Sequence, residues 1–314
     1  MLAIETLDLR KKFIEYEKFF RRKEVEALKG INISVKEGEF FGLLGPNGAG
    51  KTTFVNILAT LLLPDAGNAK IFGLDVAEDA NEVRKFINLC PAYTGFYDEQ
   101  TVKEDLEIYA RMCNAEADLD EYISMVWLDD YKDVNFGKLS SGNRQKVALA
   151  KSLISGAKIF LMDELTVGLD PDIALKMREL IKNWNKKNDT TILLTTHNMY
   201  EADELCNRIA IIHRGDIVAC DTPENLKKSI RDEDCIEIKI NEAKDPSKFL
   251  EKMSGIKRVG FSRYSITIHV DNAEKRLQPI IKSLLSKNYH IRNVDIREPT
   301  LEDVFVKLAG VRLE

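Results

Sequence analysis

Residues Gly45 to Thr52 read Gly-Pro-Asn-Gly-Ala-Gly-Lys-Thr, a complete G-x-x-x-x-G-K-[ST] phosphate-binding loop. The pattern constrains the fold because it works only between a strand and a helix. Glycines at these places let the loop turn its backbone N–H groups onto phosphate oxygens. Glu39-Phe-Phe-Gly-Leu-Leu44 before it is a short apolar run, as expected of a buried strand. From Lys51 onward (KTTFVNILATLLL) apolar residues recur at helical spacing, and a helix N-terminus adds its dipole to an anion site. Gly45, Pro46, Asn47, Gly48, Ala49, Gly50, Lys51, Thr52 and Thr53 are therefore the candidate phosphate-binding residues. Lys51 supplies charge to the β- and γ-phosphates, and the Thr52 hydroxyl is a candidate Mg²⁺ ligand. The competing reading is a glycine-rich turn that binds nothing.

A chain of 314 residues is long for one core and about right for two domains. With 44% hydrophobic and 31% charged residues it has a globular composition. No apolar run reaches the roughly 18 residues of a membrane span. The N-terminus lacks an apolar signal core, so a cytoplasmic location is expected. Cys90, Cys113, Cys206, Cys220 and Cys235 are scattered without a C-x-x-C pair, which predicts free, buried thiols and no zinc site. A net charge of −5 provides no general attraction to nucleic acid.

Glu5–Leu9 and Ile31–Val35 alternate as half-buried strands do. The charged, aromatic stretch Lys11–Glu26 between them has no assigned element. Ile159–Met162 and Thr191–Leu194 are short apolar runs suited to parallel strands covered on both faces. Ile209–Ile212 and Asp216–Ala219 flank His213-Arg-Gly215 as a hairpin. Pro223 opens a short helix, and composition shifts near residue 225. Beyond it, Cys235–Ile240 and Ser265–Val270 alternate strictly. Ser247–Met253, Ala273–Leu285 and Leu301–Leu308 are helical, and His290–Ile296 is a strand. The expectation is a first domain over 1–224 and a small α+β domain over 225–314.

Ile159-Phe-Leu-Met-Asp-Glu164 is a strand ending in two carboxylates. A strand running into a polar loop is the plainer reading. With a phosphate loop upstream, Asp163 would hold Mg²⁺ opposite Thr52, and Glu164 would orient or deprotonate a water. Leu139-Ser-Ser-Gly-Asn-Arg-Gln145 leads into a helical run and could be an ordinary cap. His197, after the strand TILLTT, could be a surface residue.

Taken in order, phosphate loop, small-residue turn, carboxylate strand and strand-plus-His resemble an ATP-binding-cassette (ABC) ATPase over roughly residues 3–222. Asp163-Glu-Leu-Thr-Val-Gly-Leu-Asp-Pro171 is similar to that family's Walker B and D-loop. The resemblance implies a P-loop α/β domain with a mixed-sheet core and a helical subdomain at about 92–155. It implies ATP and Mg²⁺ as ligands and a head-to-tail dimer, of two copies or with a paralogue, sandwiching nucleotide. Ser140 and Gly142 would then meet the γ-phosphate held by the opposite subunit, His197 would contact the γ-phosphate, and Asp170 would line the dimer contact. Phe13, or nearby Tyr16, would stack on adenine. The tail Glu298-Pro-Thr-Leu-Glu-Asp-Val-Phe305 resembles the ending of ATP-binding subunits of ABC-2-type exporters. That class implies a separate membrane permease docking near Pro91–Arg111, with Phe96, Tyr97, Ile108 and Tyr109 as an apolar groove. The chain would then sit peripherally on the cytoplasmic face of the membrane.

Four departures stand out. Ala92 occupies the usual Gln position. Ser141 and Asn143 give LSSGN for LSGGQ. Leu165 replaces the usual Pro. The register of the adenine-stacking aromatic is blurred by the 14–26 stretch. A soluble or regulatory ABC ATPase with little turnover is the alternative, to which Ala92 gives some standing. DNA-repair types would need a long coiled coil, and no sustained heptads occur here.

Overall fold

In the computed structural model, residues 1–17, 21–90, 98–230, 234–297 and 299–309 are described. They form two compact units, Met1–Pro223 and Glu224–Arg312. Ala92, Tyr93, Thr94, Phe96 and Tyr97 lie outside the described residues.

The first unit holds two sheets. In one, β1 (Leu2–Glu17) pairs antiparallel with β2 (Arg21–Lys36) and with β4 (Ala66–Ile71), which carries β5 (Leu74–Asp75). The unassigned stretch Lys11–Glu26 is therefore strand for most of its length. Partnering by β4 stops at Arg10↔Ala66, and beyond it only β1 and β2 pair, out to Glu17↔Arg21. Lys11–Asp65 (2.9 Å) and Lys12–Glu26 (3.1 Å) tie the ribbon by charge rather than by burial.

The second sheet has the order β10-β9-β3-β8-β7-β6. Its strands are β3 (Phe40–Leu44), β6 (Ile87–Cys90), β7 (Ile159–Asp163), β8 (Thr191–Thr196), β9 (Arg208–His213) and β10 (Asp216–Asp221). All pair in parallel except β9–β10, the expected hairpin. Every residue of β3, β7 and β8 is buried, which is why they read as unbroken apolar runs. Helix α1 (Lys51–Leu58) follows β3, with Phe54, Val55, Ile57 and Leu58 in the core. The sequence pattern extended this helix to Leu63. It stops earlier because Thr60 takes φ 60°, and Leu61 and Leu63 are exposed.

Helices α2 (Ala80–Val83), α3 (Val102–Met112), α4 (Leu119–Met125), α5 (Ser141–Ile154), α6 (Pro171–Asn188) and α7 (Met199–Leu205) complete this unit. A Thr101–Glu104 capping box starts α3, and Asp118 caps α4. The thiols depart from expectation. Cys90 and Cys206 are buried and pushed up by burial, Cys90 to about 12, whereas Cys113 and Cys220 are exposed. The expectation missed them because scattered cysteines carry no periodicity.

The second unit starts within α8 (Pro223–Ser229). It continues β11 (Asp234–Ile240), α9 (Ser247–Leu250), β12 (Ile256–Ser262), β13 (Ser265–Val270), α10 (Ala273–Ser286), β14 (Ile291–Arg297) and α11 (Leu301–Ala309). The order β12-β13-β11-β14, antiparallel throughout, is a β-α-β-β-α-β ferredoxin-like sheet. Ile236, Ile238, Ile266 and Ile268 pack with Ile280 and Leu284 of α10 in one core.

Candidate functional site

The site forms at the C-terminal ends of the parallel strands, where open α/β sheets bind ligands. Gly45 leaves β3 and donates its N–H to Thr196 O at 3.1 Å. A Cβ on Gly45 would lie 2.3 Å from Ile212 O, so the chain tolerates nothing larger there. Gly50 takes φ 110° as it caps α1, and a Cβ would lie 2.4 Å from Ala27 O. Gly48 also has positive φ but faces open space. The two positions separate strain from clash. Gly50→Ala carries the left-handed backbone penalty and the clash with Ala27 O together, so it is expected to destabilise the nucleotide-free protein clearly more than Gly48→Ala does. Gly48→Ala should cost only the left-handed backbone penalty of about 1–2 kcal/mol. Urea unfolding followed by tryptophan fluorescence checks this, and equal shifts would refute the clash.

Lys51, 5% exposed, folds its ammonium back onto the loop. It donates to Gly45 O (2.8 Å) and Pro46 O (3.2 Å) and lies 3.3 Å from Glu164 Oε1. Thr52 Oγ1 donates to Asp163 Oδ2 at 3.0 Å. Glu164 Oε1 also meets His197 Nδ1 at 3.2 Å. The carboxylate thus sits between a buried cation and an imidazole.

The backbone at Glu164 explains how neighbouring carboxylates reach one place. Adjacent strand residues point to opposite faces. Strand β7 ends at Asp163, and Glu164 takes φ 52°, a left-handed conformation that is uncommon outside glycine. This turn brings Glu164 toward Lys51 while Asp163 stays with Thr52. Such strain is characteristic of functional sites.

The end of β8 stitches these parts together. Thr195 Oγ1 donates a short hydrogen bond to Asp163 Oδ1. Thr195 O accepts from the Glu164 N–H at 3.1 Å, and Thr196 O accepts from Gly45. Sequence reasoning singled out His197 and passed over Thr195 and Thr196, since threonine in a strand is ordinary. Farther along, Thr166 Oγ1 donates to the buried Glu201 Oε1 at 2.7 Å, tying the segment after Glu164 to α7.

Ser140 caps α5, its hydroxyl accepting from Asn143 N at 3.2 Å. A hydroxyl used as a cap acceptor keeps its own proton to donate. The exposed Ser140 is thus an ordinary cap and also an outward-facing donor. Gly142 lies outside the left-handed region, and a Cβ there would come no closer than 3.4 Å to Leu169. The fold itself does not demand glycine at 142. Asp170, exposed, precedes Pro171 at the start of α6 and makes no side-chain cap.

Phe13 lies on β1 opposite Val25, 39% exposed, with Lys11 Nζ 5.7 Å from its ring centre. It is sited on the outer ribbon and is not in the Lys51–Asp163–Glu164 cluster. Ile108 is exposed on α3, but Tyr109 turns inward. The Tyr109 hydroxyl accepts from Asn88 Nδ2 at 2.5 Å, and burial pushes its pKa up to about 12. A groove on this helix would use Ile108 rather than Tyr109.

Two oxygen donors, Thr52 and Asp163, meet at the helix N-terminus, and hard divalent cations take oxygen ligands. The donor set therefore fits Mg²⁺.

Comparison with known proteins bears on both units. Residues 28–167 match the ABC transporter family, and residues 222–309 match the C-terminal domain of DrrA1-3-like ATP-binding proteins. The chain is 34% identical over 307 residues to daunorubicin resistance ATP-binding protein DrrA2 of Streptomyces coeruleorubidus, covering 94% of each. It is 32% identical over 308 residues to Nod factor export ATP-binding protein I of Burkholderia thailandensis, covering 96% of this chain and 97% of that one. ABC transporter A family member 5 of Arabidopsis thaliana is 30% identical, and the match spans only 31% of its length. Among solved structures, a dimeric ATP-binding cassette in a post-hydrolysis state with ADP and phosphate superposes with a TM-score of 0.63. It is 25% identical and covers 70% of this chain and 98% of that one.

Proposed function

The chain belongs to the ATP-binding subunits of the ABC transporter family, and from that premise we propose that it powers an ABC-2-type exporter through ATP-driven closure of a dimer. It is an ATPase of this family. The observation that carries the residue assignment is the meeting of Lys51, Thr52, Asp163, Glu164 and His197 at the strand ends.

Backbone amides from Gly48 to Thr53 and the Lys51 ammonium receive the phosphates. To do so, Lys51 exchanges its contacts with Gly45 O and Pro46 O for phosphate oxygens. Thr52 and Asp163 would hold Mg²⁺, which would supply positive charge to offset that of the phosphates. Glu164 orients the attacking water and accepts its proton. His197, within reach of Glu164, contacts the γ-phosphate. Ser140 and Gly142 complete the site from the opposite subunit. The outward Ser140 hydroxyl and the absent side chain at 142 leave a helix N-terminus open to an anion. Phe13 on the ribbon stacks on adenine, and Asp170 lines the contact between subunits. Glu164 and His197 within hydrogen-bond reach favour productive turnover over the binding-only alternative.

Among the described residues, no helix is long and apolar enough to cross a membrane. The likeness to ATP-binding proteins of resistance and export systems supports a separate transmembrane subunit as the partner, with the chain working on the cytoplasmic face beside it. The partner in the dimer is a second nucleotide-binding subunit, either another copy of this chain or a paralogue.

Mixing two inactive variants tests the composite site. Lys51→Ala removes the phosphate cation, and Gly142→Asp places a carboxylate where the opposite phosphate would lie. Each homodimer carries two broken sites. A mixed dimer concentrates both lesions in one site and restores the other, so ATPase activity should reappear on mixing. A mixture as inactive as its components would reject a site shared between two copies.

A further inference from the structure

The bond from Thr195 to Asp163 carries an inference that rests on the reading of Asp163 as a metal ligand. We infer that Thr195 is a positioning residue, which fixes the Asp163 carboxylate so that only Oδ2 faces Thr52 and the metal. The two residues are register partners across β7 and β8. Thr195 is fully buried and Asp163 is 8% exposed, so solvent does little to orient that carboxylate. Each carboxylate oxygen has one hydroxyl donor, Thr195 on Oδ1 and Thr52 on Oδ2.

The donors differ in what they are free to do. Thr52 is exposed at the start of α1, beside the phosphate loop, and its oxygen can turn to a cation. Thr195 lies inside the sheet and donates its proton to Asp163 from the adjacent strand β8. Its hydroxyl has one donor, and that donor is committed. With Oδ1 held, rotation about the Asp163 side chain would break a buried hydrogen bond. The carboxylate is thereby presented through one oxygen, which suits a small cation that demands strict octahedral geometry. Outer-shell donors of this kind tune metal affinity although they never touch the metal.

The Thr195 carbonyl has a separate task, accepting the Glu164 N–H. A side-chain substitution removes the first bond and keeps the second. Thr195→Val preserves branching at Cβ and strand preference while deleting the hydroxyl. Thr195→Ala deletes it without the added methyl, and Thr195→Ser retains it.

The test titrates Mn²⁺ into each variant at saturating ADP, read by electron paramagnetic resonance, with ADP affinity measured separately in EDTA. Thr195→Val and Thr195→Ala should weaken Mn²⁺ about 10- to 100-fold, with ADP affinity in EDTA unchanged. Thr195→Ser should bind Mn²⁺ like the parent. Parental Mn²⁺ affinity in the valine and alanine variants, with Asp163→Asn weakened, overturns the inference and spares Asp163. Parental affinity in Asp163→Asn removes the metal-ligand reading and the inference with it. Loss of ADP affinity in EDTA alongside Mn²⁺ would mark Thr195 as merely structural and also overturn it.

Discussion

Glu164→Gln is expected to lower steady-state ATP turnover about 10²- to 10⁴-fold, the usual contribution of a general base. Glutamine has nearly the same shape and can occupy the same left-handed backbone, so the loop should keep its course. What it loses is basicity and charge. In the parent, Glu164 Oε1 lies 3.3 Å from the Lys51 ammonium and 3.2 Å from His197 Nδ1. An amide oxygen still accepts a hydrogen bond from either, yet it cannot take a proton from water. Binding of ATP, which uses the loop amides and Lys51, should survive. The variant should then accumulate as a nucleotide-bound dimer, visible as a doubled mass by light scattering with ATP but not with ADP. Turnover within threefold of the parent, with no ATP-dependent dimer, would remove Glu164 from its role.

Much of this site was legible because its chemistry follows strict local patterns. The apolar runs of β3, β7 and β8 are continuous since both faces are covered, and each ends next to the residues that meet at the candidate site. The left-handed turn at Glu164 was not legible, because nothing in the string Met-Asp-Glu-Leu marks it. Thr195 was not legible either, because its meaning lies in a register partner 32 residues away. In the fold, the Lys11–Glu26 ribbon escaped notice because its charged and aromatic residues mix without an apolar alternation, and residues 12–14 and 23–24 are exposed. Strand β12 was missed for a different reason. Its register shifts between Ile256 and Arg258, and this irregularity breaks the period-2 pattern over Ile256, Val259 and Phe261. The helix after the phosphate loop was read too long, since Leu61 and Leu63 continue the apolar run although the backbone has already turned.

Lys151→Met and Asp105→Leu should each destabilise the first unit by about 3–5 kcal/mol, while the double variant should be near neutral or more stable than the parent. Lys151 on α5 and Asp105 on α3 form an ion pair of 2.7 Å with both side chains under 10% exposed. Burial pushes the Asp105 carboxyl up and the Lys151 ammonium down, and the attraction between them only partly offsets it. Each charge is therefore tolerable only because of the other. Removing one leaves an uncompensated charge in the interior, whereas removing both replaces a costly pair with apolar side chains in a buried place. Trp127 and Trp184, both in the first unit, report the transition by fluorescence in urea without interference from the second. The coupling between the two substitutions should then come out at several kcal/mol, and a value below about 0.5 kcal/mol would mean the sites are independent. The functional consequence follows from α5, which carries both Lys151 and the Ser140 cap. Ser140 caps the start of α5, and Lys151 anchors its last turns. Under the proposed shared site, in which α5 presents Ser140 and Gly142 to the opposite subunit, the single variants should lose ATPase activity at temperatures where the double variant keeps it.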